Sequence, residues 1–84
     1  MNYKATIDIM PLKELLDPQG KAVASSMTNL KIDQVNDVRI GKHIEMALEA
    51  SSETDAREKV ETACKKLLAN PVIEYYEFEL AEVS

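Results

Sequence analysis

Polar and apolar positions along the chain divide it into five regular stretches. Tyr3, Ala5, Ile7 and Ile9 alternate with Lys4, Thr6 and Asp8, the period of a strand with one face buried and the other in water. Pro11 ends this strand, because proline has no N–H to give to a ladder, and Leu12 to Leu16 form a short connection. Asp17-Pro18 then predicts a helix start. The Asp17 carboxylate can cap free N–H groups, and proline suits the first helical position. Val23, Met27 and Leu30 recur at i, i+4 and i+7 with Ala24 beside them, which gives one apolar stripe and a helix that ends near Leu30.

The middle of the chain carries the longest uniform pattern. Val38, Ile40, Ile44, Met46, Leu48 and Ala50 all fall on even positions, interrupted only by Lys42, while Arg39, Gly41, His43, Glu45 and Glu49 take the odd ones. A two-residue hairpin at Gly41-Lys42 would set Ile40 against His43 and Val38 against Glu45, mixing the two faces. One long strand over residues 37–50, bent near Gly41, keeps them apart. At ~3.3 Å per residue such a strand would span about 40 Å, more than so small a domain needs, and its surplus would offer an edge to another chain.

A second helix opens at Ser51-Ser52-Glu53-Thr54-Asp55, where hydroxyls and acids meet the positive end of the helix dipole. Ala56, Val60, Ala63 and Leu67 are its expected apolar stripe, flanked by Cys64 and Leu68, and Asn70-Pro71 stops it. Val72 to Val83, rich in β-formers, is the last strand. The order β–α–β–α–β, or β–α–β–(β)–α–β if the long central strand acts as two, predicts an α+β, ferredoxin-like-related fold with two helices on one face of an antiparallel sheet.

Length and charge narrow the function. The 84 residues are expected to make one domain, 1–84, near the lower limit for a self-sufficient core, which favours association. Lys and Arg number 10 against 15 Asp and Glu, so nucleic acid and anionic membrane surfaces are poor partners. No apolar run reaches membrane-spanning length, no signal pattern opens the chain, and the lone Cys64 fits a reducing compartment, so a cytoplasmic location is expected.

Candidate chemistry is sparse. Gly20-Lys21 and Gly41-Lys42 lack the upstream glycine and the following Ser or Thr of a phosphate loop, and Gly20 is better read as allowing another backbone to approach. His43-x-Glu45 lacks the paired cysteines of a zinc deaminase. Cys64 sits beside an apolar helical stripe with no neighbouring histidine. No catalytic, cofactor-binding or metal-binding residue is therefore expected. The acids of the second helix and last strand read as solvated faces. What remains is Asp37-Val38-Arg39-Ile40-Gly41-Lys42, which is either an exposed ion pair or a recognition edge. In the second reading Gly41 permits close approach and Arg39 offers a planar fork to a carboxylate or carbonyl.

At these residues the sequence resembles a known family. Leu16-Asp17-Pro18-Gln19-Gly20-Lys21-Ala22-Val23, Asp37 to Lys42, and Cys64 to Glu74 are similar, in order and spacing, to signature stretches of PurS. PurS is the small subunit of bacterial and archaeal phosphoribosylformylglycinamidine synthase. The resemblance implies a non-catalytic subunit of an ATP-dependent C–N ligase in de novo purine (IMP) biosynthesis. It also implies that homodimers or higher homo-oligomers bridge a glutaminase subunit (PurQ) and a synthetase subunit (small PurL). The expected interface residues are Asp37, Arg39, Gly41 and Lys42, with a secondary contact at Gln19, Gly20 and Lys21. The competing class is a free-standing ferredoxin-like regulatory domain, with a small effector bound near residues 18–21. A metal chaperone of the same fold would need a Cys-x-x-Cys that is missing.

Overall fold

A computed structural model describes residues 1–83. Strand β1 (Asn2–Pro11) lies at the centre of a three-stranded sheet, with β2 (Lys42–Glu49) and β3 (Glu74–Glu82) antiparallel on either side. Helix α1 (Pro18–Met27) follows β1, and helix α2 (Glu53–Ala63) joins β2 to β3. The register sets Ile7 opposite Ile44 on one side and Phe78 on the other, so the alternating apolar positions of all three strands share one face.

That face builds the core. Tyr3, Ala5, Ile7 and Ile9 of β1 are buried against Ala56 and Val60 of α2 and against Cys64 just past its end, with Ile44, Met46, Leu48, Tyr76, Phe78 and Leu80 half-buried around them. Fully burying a side chain such as Ile7, Ile9 or Val60 is worth about 1.5–3 kcal/mol each. The opposite face stays polar: Lys4 pairs with Glu45 at 3.2 Å, and His43 Nδ1 lies 2.7 Å from Asp8 Oδ1.

Helix α2 begins as its sequence requires. The Ser52 hydroxyl accepts the Asp55 N–H at 3.1 Å while Asp55 accepts the Ser51 N–H at 3.0 Å, a reciprocal cap. Its end differs from expectation. Residues Cys64–Leu68 form a π-helical turn, closed by the Ala69 N–H on the Cys64 carbonyl. The buried stripe therefore runs Ala56, Val60, Cys64 and on to Ala69. Leu67, expected within the stripe, is 81% exposed, because the extra residue of the wider turn rotates it outward.

Two further outcomes concern the middle of the chain. There is no hairpin at Gly41-Lys42, but ladder pairing begins only at Lys42, so residues 37–41 extend the pattern without joining the sheet. The strand central in sequence also lies at the sheet's edge, and β1 holds the middle. Residues 12–41 thus form an arm that leaves the end of β1 and returns to β2. Helix α1 runs along it and passes through a short 3₁₀ turn (Thr28–Leu30). It is stopped by Lys31 at φ 61°, which does the work usually given to glycine. The molecule measures 51 × 26 × 14 Å, with a radius of gyration of 16.6 Å, against about 12 Å for a compact chain of this length. The arm is not folded onto the core.

Candidate protein-interaction site

The base of the arm is a latch built from residues far apart in sequence. Asp17 caps α1 by accepting the Gly20 N–H on Oδ1 at 3.0 Å, and its other oxygen accepts the Ile40 N–H at 2.8 Å. Arg39 donates from Nη1 to the Leu15 carbonyl at 2.9 Å and from Nη2 to the Leu12 carbonyl, so its planar fork spans the connection that leads out of β1. The Gly20 and Ile40 amides, aided by the nearby Arg39 charge, hold the Asp17 carboxyl below its usual range despite partial burial.

Both glycines of the chain stand where backbones touch. A Cβ on Gly20 would collide with the Val38 carbonyl, and one on Gly41 with the Ile9 carbonyl and the Met10 sulfur. The approach of another backbone at Gly20 is thus what the structure shows. A helical glycine ordinarily weakens a helix, and here it is required for the returning segment to lie against the first turn.

The seven expected interface residues divide into two groups. Gly20 is buried and Arg39 half-buried within the latch, and Gly41, although exposed, lies close against the Ile9 backbone. Gln19, Lys21, Asp37 and Lys42 are exposed around the latch. Lys21, Asp37 and Arg39 share a recess of about 190 Å³ with Asp17 and Asn36. Asp37 and Arg39 also line a second recess, of about 210 Å³, with Lys13 and Tyr75. Lys42 stands apart from both and pairs with Glu74 at 3.6 Å. In the sequence, the Asp17-Pro18 pair signals only a local helix cap. The bond of Asp17 to Ile40 had no signal in spacing, because the two residues are 23 apart.

The arm also carries apolar surface. Leu16, Leu30 and Ile32 are 72%, 70% and 47% exposed. In α1 Gly20 is buried, whereas Val23, Ala24 and Met27 of the expected stripe are only half-buried. Across the molecule, Ile44, Met46 and Leu48 of β2 are likewise half-covered. A stripe and a sheet flank that each lack a lid are what a second chain would bury.

Groups with reactive chemistry are tied up elsewhere. Cys64 is fully buried, and burial, with Glu61 nearby, pushes its thiol up, the opposite of an activated nucleophile. Burial and a 2.9 Å hydrogen bond from its hydroxyl to Glu61 push Tyr76 up to about 12. Among the described residues, no group of three or more His, Cys, Asp or Glu side chains is arranged to hold a metal ion.

Comparison with known proteins adds to this geometry. The family model PurS, described as phosphoribosylformylglycinamidine (FGAM) synthase, matches residues 4–82. The PurS subunit of phosphoribosylformylglycinamidine synthase from Synechocystis sp. is 46% identical over 79 residues, which are 94% of this chain and 79% of that protein. Bacillus subtilis PurS in its C2 crystal form superposes with a TM-score of 0.86 at 41% identity, over 95% of this chain and 99% of that one. A chain in the structure of PurLQS from Thermotoga maritima gives the same TM-score at 33% identity, over 96% and 99% of the two chains.

Proposed function

The chain belongs to the PurS family, and from that premise we propose that it works as the non-catalytic small subunit of phosphoribosylformylglycinamidine synthase in the cytoplasm. In this reading it joins a glutaminase subunit (PurQ) to a synthetase subunit (small PurL), so that ammonia from glutamine meets the ATP-activated amide of formylglycinamide ribonucleotide. The observation that carries the proposal is the arm: about 30 residues held out from the core by a dedicated latch, with Leu16, Leu30 and Ile32 facing water. A free-standing domain has no use for such a projection, whereas a subunit that works by contact does.

The same surfaces point to self-association. The α1 stripe of one copy and the half-covered β2 flank of another are complementary in character, and a two-fold pair would bury both twice over. The exposed residues Gln19, Lys21, Asp37 and Lys42 then form the surface offered to the larger subunits, and Gly20, Arg39 and Gly41 hold it in place. The competing reading, a small-effector domain, is disfavoured by the recess near residues 17–21. At about 190 Å³ it is below the ~300–1,000 Å³ typical of ligand sites, and the Arg39 fork is already engaged by carbonyls of its own chain.

The test is co-purification. With the tagged chain present, the glutaminase and synthetase subunits should be retained in one complex, and without it they should separate. Equal association of the two larger subunits in its absence would remove the bridging role.

A further inference from the structure

The outer edge of β3 is the surface on which we infer that an extended segment of a partner subunit adds as a fourth strand, one in which Lys or Arg alternates with apolar side chains. The inference rests on the bridging role proposed above and says where one contact is made.

Three features lead to it. Strand β3 has one sheet neighbour, β1. The bonds from Val83 N–H to Asn2 carbonyl and from Leu12 N–H to Ile73 carbonyl fix which rungs are hydrogen-bonded. Alternation along an antiparallel pair then spends the backbone of Tyr75, Glu77, Glu79 and Ala81 on β1, and turns that of Tyr76, Phe78 and Leu80 outward. This row of N–H and C=O groups is a template for one more strand.

Next, the edge is roofed on the core side by an open groove of about 750 Å³ between α2 and β3, lined by Arg57, Glu58, Glu61, Tyr76 and Phe78. The Arg57 guanidinium lies 5.7 Å from the centre of the Phe78 ring. The half-buried Tyr76 and Phe78 rings form the floor of this groove beside the charged Arg57, Glu58 and Glu61 of α2, so an apolar side chain of an added strand would meet the two rings there.

Charge then selects the occupant. Glu77 and Glu79 stand on the opposite face of the same strand, and both are exposed. In a second copy paired antiparallel about Phe78, Glu77 would face Glu79 twice, and like charges directly opposite each other are destabilising. A heterologous strand with cations at those positions meets them favourably, with its apolar residues directed into the groove. The β2 edge shows no comparable acidic pair of unengaged side chains, since Glu45 is matched by Lys4.

Amide hydrogen exchange on the full chain, alone and in the reconstituted complex, tests this. The Tyr76, Phe78 and Leu80 amides should slow by about ten-fold or more in the complex relative to the homo-oligomer. The double variant Glu77→Lys, Glu79→Lys should keep the oligomeric state and melting temperature of the parent while weakening binding by about ten-fold or more. Protection already complete in the homo-oligomer would overturn the proposal in favour of a second copy. Complex formation with unchanged β3 exchange would overturn it while leaving the bridging role intact. A chain that bound neither larger subunit would remove both.

Discussion

Asp17 and Ile40, 23 residues apart, are joined by a 2.8 Å hydrogen bond from the Ile40 N–H to the Asp17 carboxylate, the same carboxylate that caps α1 through Gly20. One side chain thereby fixes both the start of the arm's helix and the extended segment that brings the arm back. The orientation of the projecting surface depends on this joint.

Acid should therefore loosen the arm. The Asp17 carboxyl is held low by the Gly20 and Ile40 amides first and by Arg39 after them. A carboxyl with a depressed folded value contributes stability above its unfolded pKa, about 3.9, and loses it as pH falls through the folded value. Asp17→Asn should melt below the parent at neutral pH, and the gap should close as pH drops below about 4. Melting curves from pH 7 down to 3 check this, and a gap that persisted unchanged would contradict it.

Gly20→Ala reverses the usual sign of its substitution. Glycine to alanine inside a helix ordinarily stabilises by up to about 1 kcal/mol. Here the new methyl group would meet the Val38 carbonyl, so the variant should lose about 2 kcal/mol, as overpacked sites do. Urea unfolding reads the difference, and Gly41→Ala, facing the Ile9 carbonyl, should behave alike.

Arg39→Lys should behave as a non-conservative change. A lysine has no fork to span the Leu12 and Leu15 carbonyls, so residues 12–16 should exchange their amides faster, at a stability cost of about 1 kcal/mol. The core amides of β1 should keep their protection, because Ile7 and Ile9 lie outside the latch.

The isolated chain should sediment as a dimer or larger. Met27→Glu with Leu30→Glu places charge in the α1 stripe, outside the core of a single chain. The double variant should shift toward monomer while keeping its far-ultraviolet circular dichroism. A parent that is already monomeric at micromolar concentration would contradict the self-association reading.

Much of this was legible in residue patterns because local physics governs it. The alternation of Tyr3 to Ile9 and the caps at Asp17-Pro18 and Ser51-Ser52 each act within a few residues, and each appears where the pattern places it. The fate of residues 37–41 was less legible, because alternation reports faces and says nothing of whether a partner strand is present. Leu67 went astray for a related reason: a 3.6-residue period assumes an unbroken α-helix, and the π-helical turn at Cys64–Leu68 shifts the phase. Arg39 could be recognised as a fork from its sequence setting, but that it takes up carbonyls of its own chain follows only from the path of residues 12–16. The groove at Arg57 and Phe78 joins a helix face to a strand edge, and spacing within either element alone does not reveal it.

The central claim is that this chain couples two enzymes and performs neither reaction. The direct measurement compares glutamine-driven with ammonia-driven amidation of formylglycinamide ribonucleotide by the synthetase and glutaminase subunits, with and without this protein. Glutamine-driven product formation should depend on its presence, ammonia-driven formation should continue in its absence, and the chain alone should release no ammonia from glutamine. Undiminished glutamine-driven synthesis after its omission would contradict the claim, as would glutaminase turnover by the chain alone that vanished in Cys64→Ala.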